Sequence, residues 1–180
     1  MDIGRQAPFN LDPEALSWVQ KTHENMSGDD KLRQLFTLLC NGHDRAQIDI
    51  ALAFRPGGIT RFGTGDATSE QELIAEFNAV TPAPVLVSSD LEGSRMSLGN
   101  GPEWPNPLAL AAINDLEVTE TVSQMMAEGA RASGINWNYA PVLDINKAFR
   151  SAIVAARGFG SDIETIERHV LKQVEVFQRN

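Results

Sequence analysis

The sequence contains a single cysteine, Cys40, and no long apolar run. One cysteine cannot form an intrachain disulfide, so nothing indicates an exported fold held by disulfides. Cys40 lies within the apolar run LFTLLC and is interpreted as a small buried residue. No stretch approaches the roughly 20 apolar residues that a membrane-spanning helix needs, and the N-terminus lacks the basic start and apolar core of a signal peptide. We therefore expect a cytoplasmic protein with no membrane partner.

Basic residues are also scarce: 15 lysines and arginines stand against 24 aspartates and glutamates, which gives a formal net charge of -9. This balance argues against binding to nucleic acid. The three histidines, His23, His43 and His169, share no metal-binding spacing, and the GTG at residues 63–65 lacks the third glycine of a dinucleotide-binding loop. The sequence has no phosphate-binding loop and no serine nucleophile elbow. We therefore expect neither a cofactor nor a metal.

What the sequence does contain is a regular alternation of strand-like and helix-like segments. Strands are predicted at 34–40, 58–62, 85–87 and 135–144, and helices at 13–26, 44–54, 70–80, 115–132 and 163–179. Such alternation implies a parallel sheet with right-handed crossovers, and thus an α/β fold. Four strand–helix units suit either a small doubly wound sheet or half of an eight-unit barrel.

Several local signals accompany these elements. Asp12 and Asp162 are predicted to cap the first and last helices, and Ser69 with Glu72 forms a predicted capping box before the helix at 70–80. Residues 27–30 are predicted to be a break. A long loop is predicted at 96–107.

The segment Ala83–Arg95, APVLVSSDLEGSR, carries the clearest functional signal. Its short apolar run suits a strand buried on both faces, and polar residues follow at once. Ligands bind at the carboxyl edge of parallel sheets. The acids and arginines that follow the third and fourth predicted strands are therefore the candidate binding groups: Asp90, Glu92, Arg95, Asp144, Arg150 and Arg157.

Acids and guanidinium groups at one edge suit a polyhydroxyl ligand, because carboxylates accept hydroxyl hydrogen bonds and arginine donates through a rigid fork. Trp104 and Trp137 are candidates for an apolar platform. A glycosidase would need two carboxyl groups roughly 5–5.5 Å or roughly 6.5–9.5 Å apart. The spacing of Asp90 and Glu92 alone does not place them across a scissile bond, and the same acids equally suit loop caps and ion pairs.

Four motifs, in order, resemble the N-terminal barrel domain of glycoside hydrolase family 3, most closely its β-N-acetylhexosaminidase branch. KLRQLFTLL is similar to the family's first strand and PGGITRF to its second. PVLVSSDLEGSR is similar to the third-strand motif, in which an acid and one further residue precede Glu-Gly-Gly-Arg. GINWNYAPVLDIN and then RGFGSD are similar to the fourth strand and its loop. The resemblance covers residues 30–180, expected to be a partial barrel domain that follows an arm and a helix at 1–29.

The resemblance implies a (β/α)8 TIM-type barrel that cleaves terminal β-linked sugars with retention, with β-N-acetylglucosaminides as the favoured substrates. It implies that Asp90 binds sugar hydroxyls and that Arg157 reaches the same sugar. Glu92, Arg95 and Asp144 fit supporting or rim positions. Carbohydrate is therefore the expected ligand.

The sequence departs from the family pattern at two positions: Ser94 replaces a glycine, and Leu98 stands where the hexosaminidase branch usually has a substrate-facing arginine. No residue matches the family's nucleophilic aspartate, its Lys-His pair or its acid/base histidine. We therefore predict the first half of a barrel, with no catalytic residue of its own and inactive in isolation.

A half barrel exposes unpaired strand edges and an apolar inner face. We therefore expect that the chain either pairs with a second copy or with the missing half of the barrel, or is a truncated gene product. The alternatives are a non-catalytic carbohydrate-binding or assembly module, and a doubly wound domain with an unrelated ligand.

Overall fold

The computed structural model describes residues 3–62, 65–99, 101–148 and 151–180. The helices in these ranges are α1 (Pro13–Asn25), α2 (Gly28–Arg33), α3 (Arg45–Phe54), α4 (Ala67–Val80), α5 (Pro107–Ile113), α6 (Leu116–Ala132) and α7 (Ile163–Arg179). The strands are β1 (Thr37–Leu39), β2 (Gly58–Thr60), β3 (Leu86–Ser89) and β4 (Trp137–Asn138). Short 3-10 helices span Ile3–Arg5 and Ala155–Arg157. Within the described ranges, no helix combines the length and the apolarity needed to cross a bilayer.

Aspartates cap the first and last helices, as predicted. The Asp12 carboxylate accepts the N–H of Ala15 at 2.8 Å, and the Asp162 carboxylate accepts the N–H of Thr165 at 2.9 Å. Each carboxylate satisfies a backbone donor that has no partner within the first turn of its helix. These short-range contacts fix where α1 and α7 begin.

The predicted capping box of Ser69 and Glu72 is wrong. Helix α4 begins at Ala67, and its cap is Asp66, whose carboxylate accepts the N–H of Ser69 at 2.9 Å. An aspartate one turn earlier already satisfies the first free N–H groups, so the helix starts before Ser69.

One helix lies in a segment predicted to be a break, and another, which was not predicted, follows the predicted loop. The predicted break begins α2, because Ser27 Oγ accepts the N–H of Asp30 at 3.0 Å and the Asp30 carboxylate accepts the N–H of Ser27 at 3.4 Å. Helix α5 follows the predicted loop 96–107, with Asn106 Oδ1 accepting the N–H of Ala109 at 2.8 Å. In both cases a local cap starts a short helix that shows too few turns for a periodic apolar pattern.

The four strands form one parallel sheet in the order β1-β2-β3-β4. The first, second and fourth are shorter than the predicted strands at 34–40, 58–62 and 135–144, because the residues that pair form only part of each segment. The strand order follows the chain order, without the reversal that marks a doubly wound sheet. Consecutive strands of a barrel are arranged in this way, with β1 and β4 as the edges of this sheet.

The two faces of the sheet differ in burial. Ile59 and Val87 are in register and wholly buried against the helices. Leu39, Leu86 and Trp137 lie on the opposite face and remain 67%, 48% and 41% exposed. Successive side chains of a strand alternate between faces, so the exposed residues belong to the face that would line a barrel.

Candidate functional site

Polar side chains gather at the carboxyl edge of the sheet, beyond β3 and β4. Asp90 follows β3 directly and Glu92 comes two residues later, whereas Asp144 and Arg157 lie in the segment after β4. All four line one cavity of about 570 Å³, here called the main cavity. Its volume is typical of small-molecule sites. The structure thus brings together four of the side chains that the sequence nominated.

Glu92 and Arg157 form a doubly hydrogen-bonded ion pair. Arg157 Nε donates to Glu92 Oε2 at 2.6 Å, and Arg157 Nη2 donates to Glu92 Oε1 at 2.7 Å. Glu92 is buried, whereas the Arg157 side chain is 45% exposed. The hydrogen bonds and charge of Glu92 raise the pKa of Arg157. Because Nη1 makes only a long 3.5 Å contact with the Ile153 carbonyl, it remains available to a ligand.

The loop that carries Arg157 is anchored to the sheet and to α7. Val142 and Gly158 form a parallel bridge, and the buried Phe159 stacks on His169 with ring centroids 5.4 Å apart. His169 Nδ1 and Thr119 Oγ1 share a 2.8 Å hydrogen bond. Burial lowers the pKa of His169, which favours the neutral ring. These contacts hold the backbone beside Arg157 in place.

Asp90 differs from Glu92 in having no hydrogen-bond donor among the described residues. Partial burial and then the charge of Glu92 raise the pKa of the Asp90 carboxyl, while the charge of Arg157 opposes this rise. Asp90 also borders the main cavity. An acceptor without a protein donor, placed beside a guanidinium, suits a ligand that brings its own hydroxyl hydrogens.

Arg95 lies at a second cavity of about 310 Å³, which Asp90 also borders and which is here called the side cavity. Asn41 and Phe62 contribute to its wall. Arg95 is exposed and forms no ion pair with an acid in the described ranges. Arg95 is therefore next to the main cavity and does not line it.

The turn between Asp90 and Arg95 explains the departure at Ser94. Ser94 has a φ of +49°, which glycine adopts more readily than serine, but its Oγ accepts a 3.3 Å hydrogen bond from Asn106 Nδ2. Gly93 has a φ of +98°, and a Cβ there would collide with the Pro105 carbonyl oxygen. The turn therefore tolerates serine at 94 and requires glycine at 93.

The remaining candidates lie further from the cavities or outside the described ranges. Asp144 is exposed on the rim of the main cavity and forms no ion pair with a described residue. Arg150 lies outside the described residues, as do residues 63 and 64. Trp104 is partly buried against the hydrophobic core, which does not suit a platform. Trp137 packs against Tyr139 on the exposed face of the sheet, with ring centroids 5.0 Å apart.

A buried ion pair beside the side cavity was not predicted from the sequence. Arg61 follows β2, and its Nε and Nη2 atoms donate to Glu70 Oε2 and Oε1 at 2.8 and 2.7 Å. A charged residue directly after an apolar strand is the signal that nominated Asp90, and it would also have nominated Arg61. The pairing with Glu70 is tertiary, so local periodicity does not predict it.

A parallel sheet in chain order, with acids and an arginine at its carboxyl edge, defines a barrel-type α/β domain with a small-molecule site. The chain belongs to glycoside hydrolase family 3, since residues 28–180 match the "Glycosyl hydrolase family 3 N terminal domain". The family predicted from the motifs is thus confirmed.

Curated relatives support the same branch of the family. The "Beta-N-acetylglucosaminidase/beta-glucosidase" of Cellulomonas fimi is 30% identical over 174 residues, which cover 96% of this chain and 31% of the relative. "Beta-hexosaminidase LpqI" of Mycobacterium tuberculosis (strain ATCC 25618 / H37Rv) is 30% identical over 145 residues, covering 78% of this chain and 37% of the relative. The chain therefore spans about a third of the length of these curated relatives.

Solved structures confirm the predicted barrel-type arrangement. "Beta-glucoside phosphorylase BglX bound to 2FGlc" superposes with a TM-score of 0.87 and 26% identity, over 97% of this chain and 32% of that chain. A glycoside hydrolase family 3 β-N-acetylglucosaminidase from Paenibacillus sp. str. FPU-7 superposes with a TM-score of 0.74 and 28% identity, over 86% of this chain and 31% of that chain.

Proposed function

We propose that Asp90 and Arg157 form the sugar-binding part of a β-glycosidase site for terminal β-linked sugars, with β-N-acetylglucosaminides as preferred substrates. The observation that carries this proposal is the Asp90 carboxylate, which has no hydrogen-bond donor among the described residues and lies beside a guanidinium that Glu92 holds in a fixed plane. The names of the Cellulomonas and Mycobacterium relatives support the choice of sugar.

The two groups suit adjacent hydroxyl groups of one sugar ring. A hydroxyl that donates to Asp90 keeps its lone pairs, and a neighbouring hydroxyl accepts from Arg157 Nη1. Glu92 orients Arg157 through two hydrogen bonds, so the guanidinium loses little conformational freedom when the sugar binds. The cavity thus offers an acceptor and a donor that are ordered before the ligand arrives.

Glu92 does not suit the cleavage step. A retaining glycosidase uses a nucleophile and a separate acid/base, with carboxyl groups roughly 5–5.5 Å apart. Both oxygens of Glu92 already accept hydrogen bonds from Arg157, so an attack on a sugar would require that ion pair to break. We therefore assign Asp90 to binding and Glu92 to orientation, and we propose that the isolated chain binds the sugar without cleaving it.

Calorimetric titration with N-acetylglucosamine tests this proposal. The chain should bind the sugar, Asp90→Asn should weaken binding at least about tenfold because a hydrogen bond to a charged acceptor is lost, and the matched control Asp29→Asn should bind like the wild type. Equal heats from the wild type and Asp90→Asn would contradict the binding role. Release of nitrophenol from a nitrophenyl β-N-acetylglucosaminide by the purified chain would contradict the inactivity.

Phosphorolysis is a second candidate reaction, because the superposed structure with a TM-score of 0.87 carries the name of a β-glucoside phosphorylase. In that case phosphate would take the place of water as the acceptor of the glycosyl group. Assays of sugar release with and without phosphate distinguish the two reactions, since phosphorolysis yields a sugar 1-phosphate. For the isolated chain, binding without either reaction is the result that our proposal expects, and a non-catalytic carbohydrate-binding module would give the same result.

A further inference from the structure

The ion pair of Arg61 and Glu70 is among the most deeply buried polar features of the described residues. The two residues are only 1% and 2% exposed. Burial of two charges is costly unless their hydrogen bonds are nearly all satisfied, and here two parallel hydrogen bonds join guanidinium and carboxylate. A pair this well satisfied has the rigidity needed to hold other groups in place.

The rest of the Arg61 guanidinium is directed at the turn after β1. Nη1 donates to the carbonyl oxygen of Cys40 and, at 2.8 Å, to the carbonyl oxygen of Gly42. These two carbonyls flank Asn41 in the chain. One guanidinium therefore joins α4, through Glu70, to the backbone on both sides of Asn41.

Asn41 faces the same ligand space as Asp90, because both residues border the side cavity. Asn41 Oδ1 accepts the N–H of Gly42 at 3.1 Å, which leaves the Nδ2 group to act as a donor. The side cavity thus contains an amide donor and a carboxylate acceptor. A sugar hydroxyl both donates and accepts, so it matches this pair of groups.

We propose that Asn41 is a sugar-contacting residue that contributes to specificity, and that Arg61 is the positioning residue that holds it. This inference rests on the proposed function, since the ligand is the sugar that Asp90 binds. Asn41 donates to a hydroxyl or ring substituent adjacent to the one bound by Asp90. Arg61 touches no ligand and acts only through the turn that it fixes.

A double-mutant cycle separates this assignment from a purely structural one. Asn41→Ala should lower the affinity for N-acetylglucosamine about two- to tenfold, the loss expected for one hydrogen bond, with an unchanged unfolding temperature. Arg61→Lys keeps a positive charge beside Glu70 but loses the fork that reaches both carbonyls. It should lower the affinity by a similar factor, and the double variant should be no weaker than Asn41→Ala.

Arg45→Lys is the matched control, because Arg45 makes its ion pairs with Asp49 and Glu76 on exposed surface. It should leave the affinity unchanged. An Asn41→Ala variant that binds like the wild type would overturn the sugar contact. If the affinity losses of Asn41→Ala and Arg61→Lys multiply in the double variant, the claim that Arg61 acts through Asn41 would be overturned.

If Arg61→Lys does not fold, Gly42→Ala tests the same positioning role. Gly42 has a φ of +73°, and a Cβ added there would meet no atom within 4 Å, so alanine strains the turn and leaves the buried pair intact. It should reduce the affinity to about the same extent as Asn41→Ala. Wild-type affinity in Gly42→Ala would contradict the requirement for an ordered turn.

Amide spectra recorded without sugar separate a failure of this inference from a failure of the proposed function. Arg61→Lys, or Gly42→Ala in its place, should shift the side-chain amide signal of Asn41 even if no sugar binds. Unchanged signals would overturn the positioning role. A wild-type chain that binds no sugar would overturn both the proposed function and the Asn41 contact, whatever the spectra show.

Discussion

The Asp90 carboxyl is partly buried and close enough to Glu92 for their charges to repel. Its pKa therefore lies above the usual value of 3.8, although Arg157 opposes the shift. A carboxyl whose pKa is raised on folding binds its proton more tightly in the folded state. The stability of the fold therefore decreases as the pH rises from the unfolded pKa through the folded one. A ligand hydroxyl that donates a hydrogen bond to Asp90 would offset part of the free-energy cost of keeping this carboxylate charged in the fold.

Asp90→Asn should therefore stabilise the fold while it weakens sugar binding. At neutral pH we expect the free energy of unfolding to rise by less than about 1 kcal/mol, because the site is only partly buried. The gain should vanish as the pH falls towards 3.8, where the wild-type carboxyl takes up its proton. Urea unfolding at several pH values measures this, with Asp29→Asn as the control. A variant less stable than the wild type at neutral pH would contradict the account of Asp90.

At the scale of elements, Arg61 and Glu70 join the end of β2 to the first turn of α4 and to the turn after β1. Burial alone would raise the pKa of Glu70, but the hydrogen bonds and charge of Arg61, together with the charge of His43 and the backbone N–H of Gly65, outweigh burial and lower that pKa. The stability contributed by this pair is therefore complete above the unfolded value and is lost as the pH falls through the lower folded pKa.

Arg61→Met should destabilise the fold by about 3–5 kcal/mol, because the buried Glu70 carboxylate then loses its two guanidinium hydrogen bonds and keeps only the 3.3 Å contact with His43 Nε2 and the backbone N–H of Gly65. Replacing both residues, as Arg61→Met with Glu70→Leu, should recover at least half of that loss. The exposed control Arg45→Met should cost less than about 1 kcal/mol. Urea unfolding gives all three values. A double variant as unstable as Arg61→Met would show that the lost carbonyl hydrogen bonds matter more than the unpaired charge.

The helices and strands also show which features of the fold could be predicted from the sequence. Asp12 and Asp162 were predicted as caps because a cap depends on residues within one turn. The lengths of β1 and β4 were overestimated, because apolar character continues past the last ladder hydrogen bond.

At the site, Asp90 and Arg157 were predicted as binding residues because they follow predicted strands. The link from Arg61 to the turn around Asn41 joins residues 21 and 19 apart in the chain, and only the folded arrangement reveals it.

At the scale of the whole molecule, the sheet has one covered and one uncovered face. The uncovered face carries Leu39, Leu86 and Trp137. In a closed barrel these side chains would fill the interior. The association expected from the sequence, with a second copy or with further strands of a barrel, stays a prediction.

We predict that the purified chain self-associates in a concentration-dependent way in sedimentation experiments. Leu39→Lys should weaken the association, because it places a charge on the uncovered face. Leu171→Lys, on the exposed surface of α7, should not. A monodisperse monomer that unfolds with full cooperativity would contradict this expectation.

The central claim is that Asp90 and Arg157 bind one sugar at the carboxyl edge of the sheet, and a crystal structure of the chain with N-acetylglucosamine tests it most directly. The account predicts a sugar in the main cavity, with hydroxyl oxygens about 2.5–3.2 Å from the Asp90 carboxylate and the Arg157 guanidinium. A sugar bound elsewhere on the chain, with Asp90 and Arg157 free of contacts, would contradict it.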